Sequence, residues 1–330
     1  MGYLFGLLTK GLGFIIREIY NLVQNYGLAI IIFTVVVKLI LLPLQLKSQK
    51  AMKKQQKIQP IIAELQKKYA NDQQKLQSEM MKVYKENGVS MTGGCLSLLI
   101  QFPILIALYR VIQKPLTYIR GVNFEDAAVL EKVKTVVTQI KQQFPNLLGN
   151  LAKTTNIDSL VKQATGNYQI QLSTWAEKLG LAKEYGWHIN FNFLGLDLSG
   201  VPSTGFNAIM RNDFSDMGKV LLILIPILAV YTTWLSMQQS QKMTQNPDVK
   251  QNEDDPSRAM GKSMNMLMPV MTGLFTFSLP SGIGIYWIIS SVMQMAQQYV
   301  LDKFLDKKED DFVVKIPEKN GKNGKKRRRS

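Results

Sequence analysis

Residues 28–46 read LAIIIFTVVVKLILLPLQL, an apolar run broken by one charge, Lys38. Its length matches the roughly 20 residues that a helix needs to cross about 30 Å of hydrocarbon. This run places the chain in the all-α class of integral membrane proteins. The average composition conceals that class, since hydrophobic residues are only 46% of the 330 and long charged segments dilute the apolar ones.

The net charge of +16 points to nucleic acid, an anionic membrane surface or cytoplasmic loops. Its distribution favours the last. Residues 47–90 carry ten lysines against four acids, which makes this stretch cytoplasmic by the positive-inside rule. Ile58, Ile62, Leu65 and Tyr69 recur at helical spacing, Asn71-Asp72 supplies a turn and a cap, and Leu76, Met80 and Val83 repeat the pattern until Asn87-Gly88. The spacing predicts a two-helix hairpin, with Pro60 at a kink or in a first turn.

Further apolar runs predict four more spans, at 95–112, 220–236, 263–279 and 283–301. Two of them have only 17 residues, about 26 Å at roughly 1.5 Å per residue, a mismatch that favours local thinning of the bilayer. Pro280-Ser281-Gly282 is a tight link and makes the last two spans antiparallel neighbours. The stretch 113–219 is external, with amphipathic segments at 124–144 and 157–182, and 237–262 is a cytoplasmic loop. Residues 302–330 form a basic tail ending KNGKNGKKRRRS. Five spans put this tail in the cytoplasm and the amino terminus outside.

At the start, Lys10 splits the apolar part of residues 3–24 and no basic region precedes it, so no cleaved presequence is expected. Leu4, Leu8, Leu12, Ile15, Ile19 and Val23 fall near one helical face, with Lys10, Arg17 and Asn21 on another. Residues 1–26 read as an amphipathic helix lying on the membrane. Cys95 is the only cysteine, which excludes a disulfide framework, a zinc cluster or a paired redox site within one chain, and no lipid-modified amino-terminal cysteine is expected.

Lys38 is the residue that carries function. A charge at mid-span is unfavourable by roughly 2.5–3.5 kcal/mol on insertion scales, and such residues face polar or water-filled cavities. Thr34 and Gln45 lie four before and seven after it, on the same face of a straight helix. Other polar or amphipathic groups at membrane depth are Gln101, Tyr231, Thr232, Thr233, Tyr286, Trp287, Ser290, Ser291 and Gln294. For each of these alone, interhelical hydrogen bonding is the plainer role, at about 0.6 kcal/mol. None is acidic. A cation carrier needs an intramembrane carboxylate, whereas an unpaired lysine offers a site to an anion or an acidic side chain.

Catalytic patterns are missing: His188 is the single histidine, and the chain has no Gly-x-Ser-x-Gly, Walker loop or His-Glu-x-x-His. No enzyme activity, metal or cofactor is expected. Lys325, Lys326, Arg327, Arg328 and Arg329 offer salt-sensitive contacts to ribosomal RNA or anionic lipid.

The block VVVKLILLPLQLKSQKAMKKQQKIQPIIAELQKKYANDQQKLQSEMMKVYKENGVSMTGGCLSLLIQFPILIALYRVI and the later PSGIGIYWIISSVMQMAQQYVL resemble the YidC/Oxa/Alb family of membrane protein insertases, and the likeness extends over most of the chain. The resemblance implies five helices around a hydrophilic groove that is open to the cytoplasm and to lipid, closed outside, with the basic hairpin above its mouth. It also implies an activity without nucleotide. A nascent membrane protein places its polar tail in the groove and leaves sideways into the bilayer. On this reading Lys38, Thr34, Gln45, Gln101, Tyr231, Thr232, Tyr286, Trp287, Ser290 and Gln294 line the groove of a protein of the bacterial cytoplasmic membrane. The ribosome and the Sec translocon are its candidate partners. A small-solute transporter or channel is the alternative use of such a groove, but no inverted repeats or intramembrane acid support it.

Two features depart from the family pattern. Bacterial members usually carry arginine where this chain has Lys38, and lysine keeps the charge but loses the planar fork. Roughly residues 121–188 look inserted relative to short members.

Overall fold

The computed structural model describes residues 2–89, 93–154, 156–214, 216–244 and 256–305. These are mostly helical, and among them the only strands are one two-residue pair.

Helix α1 (Gly2–Val23) buries Leu12, Ile16 and Tyr20, spaced four apart, and exposes Leu7, Phe14 and Leu22. The chain reverses at Gln24, whose φ is +49°. Asn25 then caps α2 (Tyr26–Ile40), its side-chain oxygen accepting from the Leu28 amide at 3.0 Å. Helix α3 (Leu42–Lys68) follows after Leu41 alone, with its axis turned 57° from α2. Pro43 explains the break. It has no N–H for the Leu39 carbonyl, and its ring opposes continuation of the preceding turn. The apolar run 28–46 is therefore bent.

Beyond the bend, α3 folds back on α4 (Gln73–Glu86), whose cap Asp72 accepts from the Lys75 amide at 3.0 Å. Ile58, Ile62, Val83, Tyr84 and Val89 form a small core of their own, separate from the main one. Pro60 sits inside α3. Gly88, with φ +60°, supplies the left-handed residue that ends α4.

Helix α5 (Gly93–Gln113) leads into a short α6 (Pro115–Tyr118) and then a further helical unit. Its parts are α7 (Ala127–Gln143), a 3₁₀ segment (Pro145–Lys153), α8 (Ile157–Gly166) and α9 (Gln169–Lys178). The amphipathic stretch 157–182 is thus two helices, interrupted at Asn167-Tyr168. Val133, Val136, Val137, Ile140, Leu172 and Trp175 are buried between them and continue the core formed by α1, α2 and α5. Strands β1 (Asn192–Phe193) and β2 (Leu196–Asp197) pair antiparallel, Asn192 opposite Asp197. Leu194 and Gly195 both have positive φ, as a two-residue hairpin turn requires. Tyr26 fastens the unit to the bundle: its ring meets Phe191 edge-on at 4.9 Å and its hydroxyl donates to the Ile112 carbonyl at 2.7 Å.

The chain returns through α10 (Pro202–Met210), α11 (Met217–Leu221) and α12 (Leu224–Thr244), then α13 (Pro256–Ser278) and α14 (Ser281–Leu305). Helix α14 packs between α2 and α12 and also touches α5, while α12 reaches α3. Gly284 makes the close approach of α14 to α12 possible, because a Cβ there would overlap Ile225. The turn before α14 is pinned by Ser281, whose hydroxyl and amide donate to the Gly200 carbonyl at 2.7 and 3.0 Å. Met217–Ser240 is the single described stretch long and apolar enough to cross a membrane unaided. The bent α2–α3 pair passes the same test taken together, as a broken span or a re-entrant loop, and Phe102–Gln113 and Leu267–Ser278 are shorter apolar helices.

Candidate functional site

Lys38 lies on the last turn of α2, 6% exposed, where α14 packs against it. No ion pair or side-chain hydrogen bond reaches its ammonium among the described residues. Its backbone is better served, since the Gln297 Nε2 donates to the Lys38 carbonyl oxygen at 3.2 Å. Thr34, fully buried one turn earlier, donates its hydroxyl to the Ile30 carbonyl at 2.6 Å. That bond occupies the hydroxyl's only proton with its own helix.

Buried polar groups continue along α14 and α12. Ser291 faces Thr233 with their hydroxyls 3.4 Å apart, and Gln239 donates to the Met295 carbonyl at 3.2 Å. Ser236, Gln297 and Gln298 are also buried. The side-chain oxygens of Gln49, Gln297 and Gln298 are enclosed and have no hydrogen-bond partner among the described residues. An unmatched buried acceptor is destabilising by about 1–3 kcal/mol, so such a set suits a place where solvent or another chain brings donors. Chemically the cluster offers one positive charge, several amide acceptors and no acid.

The other expected site residues are distributed around this cluster. Tyr286 is buried, Ser290 half-buried and Gln294 exposed. Half-buried Trp287 stacks on Phe275, with centroids 6.4 Å apart. Tyr231 is exposed and stacks on Trp234, and Thr232 donates to the Leu228 carbonyl at 2.8 Å. Gln45 is half-buried on α3, and the 57° bend takes it off the straight-helix face it would share with Lys38 and Thr34. Gln101 belongs to α5, with its side chain outside the described set. Lys325, Lys326, Arg327, Arg328 and Arg329 lie outside the described residues.

Gln49, Ser236, Gln297 and Gln298 were not singled out by the sequence reading. For the two on α14 a signal existed: Gln298 lies seven residues after Ser291 and Gln297 three after Gln294, so all share one side of the helix. Away from this cluster, His188 sits at the surface with its Nδ1 2.9 Å from a Glu177 carboxylate oxygen. No group of three metal-ligating side chains occurs among the described residues.

Comparison with known proteins places the architecture in context. Residues 18–308 match the family described as 60Kd inner membrane protein. The membrane protein insertase YidC of Clostridium perfringens is 30% identical over 302 residues, covering 92% of this chain and 84% of that protein. Its namesake in Caldanaerobacter subterraneus subsp. tengcongensis is 28% identical over 289 residues, 88% of this chain and 91% of the relative. In the Treponema denticola protein of the same name, 27% identical, the match takes in 91% of this chain but only 38% of the relative. With the match running from within α1 to the end of α14, the chain belongs to the 60Kd inner membrane protein family, the YidC/Oxa group.

Proposed function

We propose that this chain is a membrane protein insertase, as its relatives are named. Polar tails of nascent membrane proteins enter a hydrophilic groove bounded by α2, α5, α12 and α14, and apolar segments then leave sideways into lipid. The observation that carries this reading is Lys38: a buried cation with no acidic partner among the described residues, in contact with Gln297, whose amide oxygen lacks a donor. Such a site attracts acidic tails. At about 4 Å a carboxylate gains a gross ~4 kcal/mol at an effective dielectric of about 20, against ~1 kcal/mol in water. The amide oxygens accept from the backbone N–H groups of an extended tail, lowering the cost of removing it from water.

In this reading the bent α2–α3 pair, α5, α12, α13 and α14 supply five spans. The α3–α4 hairpin lies on the cytoplasmic side, the amino terminus is outside and the carboxyl terminus is in the cytoplasm. The energy comes from partition of apolar segments into lipid, so no nucleotide or catalytic group takes part. The ribosome and the Sec translocon are proposed partners, the basic tail at Lys325–Arg329 serving the former or anionic lipid.

Reconstitution in liposomes with a single-span substrate tests the proposal. Protease-protected substrate fragments are expected with the wild type and are reduced with Lys38→Ala. Flux of a small solute without protected fragments would instead indicate a transporter.

A further inference from the structure

An apolar cavity lies between α1, the end of α2 and α5. It measures about 540 Å³ and is walled by Leu8, Leu12, Val37, Leu41 and Ile104, with Gly11 at its edge. That volume falls within the roughly 300–1,000 Å³ of small-molecule sites. Its walls are aliphatic, so water inside finds none of the two to four polar partners it needs. Glycine weakens a helix interior, yet α1 keeps Gly11 at a point where an added Cβ would meet nothing within 4 Å. The sequence thus leaves open a space that any ordinary side chain would begin to fill.

Two cations stand about one turn of α1 beyond the lining of this cavity. Phe5, one turn before Leu8 on α1, lies under the Arg110 guanidinium, 4.9 Å from ring centroid to Cζ. Arg110 is exposed, and Lys114 follows one turn later, half-buried. Burial, and then the Arg110 charge, hold the Lys114 ammonium below the usual lysine range. Neither cation has an acidic partner among the described residues. An aliphatic slot with two adjacent cations one helical turn beyond its lining matches a molecule with a long hydrocarbon chain and an anionic head.

We propose that this cavity is a binding site for one anionic glycerophospholipid of the bilayer, with an acyl chain under α1 and the phosphate against Arg110 and Lys114. The guanidinium fork suits two phosphate oxygens at once, and the acyl chain supplies the contacts that the aliphatic walls lack. Free phosphate would gain nothing from those walls. The bound lipid joins α1 to α2 and α5, and it requires only that the chain sits in a membrane, so its success or failure is separate from that of the insertase reading.

The test uses the full chain, delipidated in detergent and titrated with phosphatidylglycerol, phosphatidylcholine or inorganic phosphate, with bound lipid counted by native mass spectrometry. The wild type is expected to hold one phosphatidylglycerol, about tenfold more tightly than phosphatidylcholine, the difference made by one good charge contact. Gly11→Leu fills the slot and should remove that lipid while raising the thermal midpoint of the lipid-free protein, because leucine favours the helix. Ile104→Phe fills it from the other wall and serves if the first variant misfolds. Arg110→Gln combined with Lys114→Gln should abolish the preference between the two lipids, and inorganic phosphate should not compete. Equal lipid occupancy in wild type and both filled variants, equal affinity of the wild type for the two lipids, or competition by phosphate alone would each overturn the proposal.

Discussion

The Gln297 side chain on α14 donates to the Lys38 carbonyl oxygen on α2 at 3.2 Å. The bond sits beside the bend at Leu41, where Pro43 interrupts the helical ladder, so α14 supplies a donor to backbone that α2 and α3 leave short. Gln297→Leu should lower stability by about 1–3 kcal/mol, the usual range for a buried acceptor deprived of its partner. Thermal unfolding in detergent measures this, and an unchanged midpoint would show that the contact contributes nothing.

Lys38 itself should act through charge. Lys38→Ala and Lys38→Glu are expected to impair insertion of substrates with acidic tails, and Lys38→Arg to preserve it. Substrates with neutral tails should respond less, since they lack the attracted group. Insertion in cells depleted of other insertases is the measurement, and full activity of Lys38→Ala on acidic tails would refute the role.

Gly284 is set where α14 crosses Ile225 of α12. Gly284→Ala should force the two helices apart and destabilise by about 1–3 kcal/mol, as overpacking does. Gly166→Ala, at a position in α8 where an added Cβ meets nothing within 4 Å, is the matched control and should be neutral or slightly stabilising. Equal thermal midpoints for both variants would show that the crossing is loose.

The hairpin has its own core, so it should fail on its own. Ile58 is fully buried there, and Ile58→Ala should cost about 2–5 kcal/mol locally. Limited proteolysis should cut the α3–α4 region sooner while the fragments containing α12 and α14 keep their wild-type lifetimes.

Deletion of residues 322–330 removes the KNGKKRRRS cluster. Binding to ribosomes and to anionic vesicles should weaken, and the salt dependence should flatten, because fewer counterions are released. Co-sedimentation across a salt series decides which partner is affected.

How far the fold was legible depends on the kind of pattern each part carries. The helical character of α2, α12 and α14 follows from their apolar runs, and Asp72 announces its cap by residue type. Pro43 signals the bend at Leu41, but apolar residues continue on both sides and mask it. Burial of Gln297 and Gln298 is hard to read from sequence because they lie near the end of a long helix, where a glutamine is equally at home in water. Gly11 gave no sign of the open space beside it, since an empty neighbourhood belongs to several helices at once.

By itself the sequence determined the class of the protein, its family and the anomaly of a lysine within an apolar run, because hydropathy, charge and motif are properties of contiguous residues. Only the tertiary structure decided what surrounds that lysine. Lys38 and Gln297 are 259 residues apart, and whether an amide meets a carbonyl across such a distance depends on how closely α14 can approach α2. Small residues at the crossings, the turn pinned by Ser281 and the bend at Pro43 set that approach together, and no single stretch of chain contains all three.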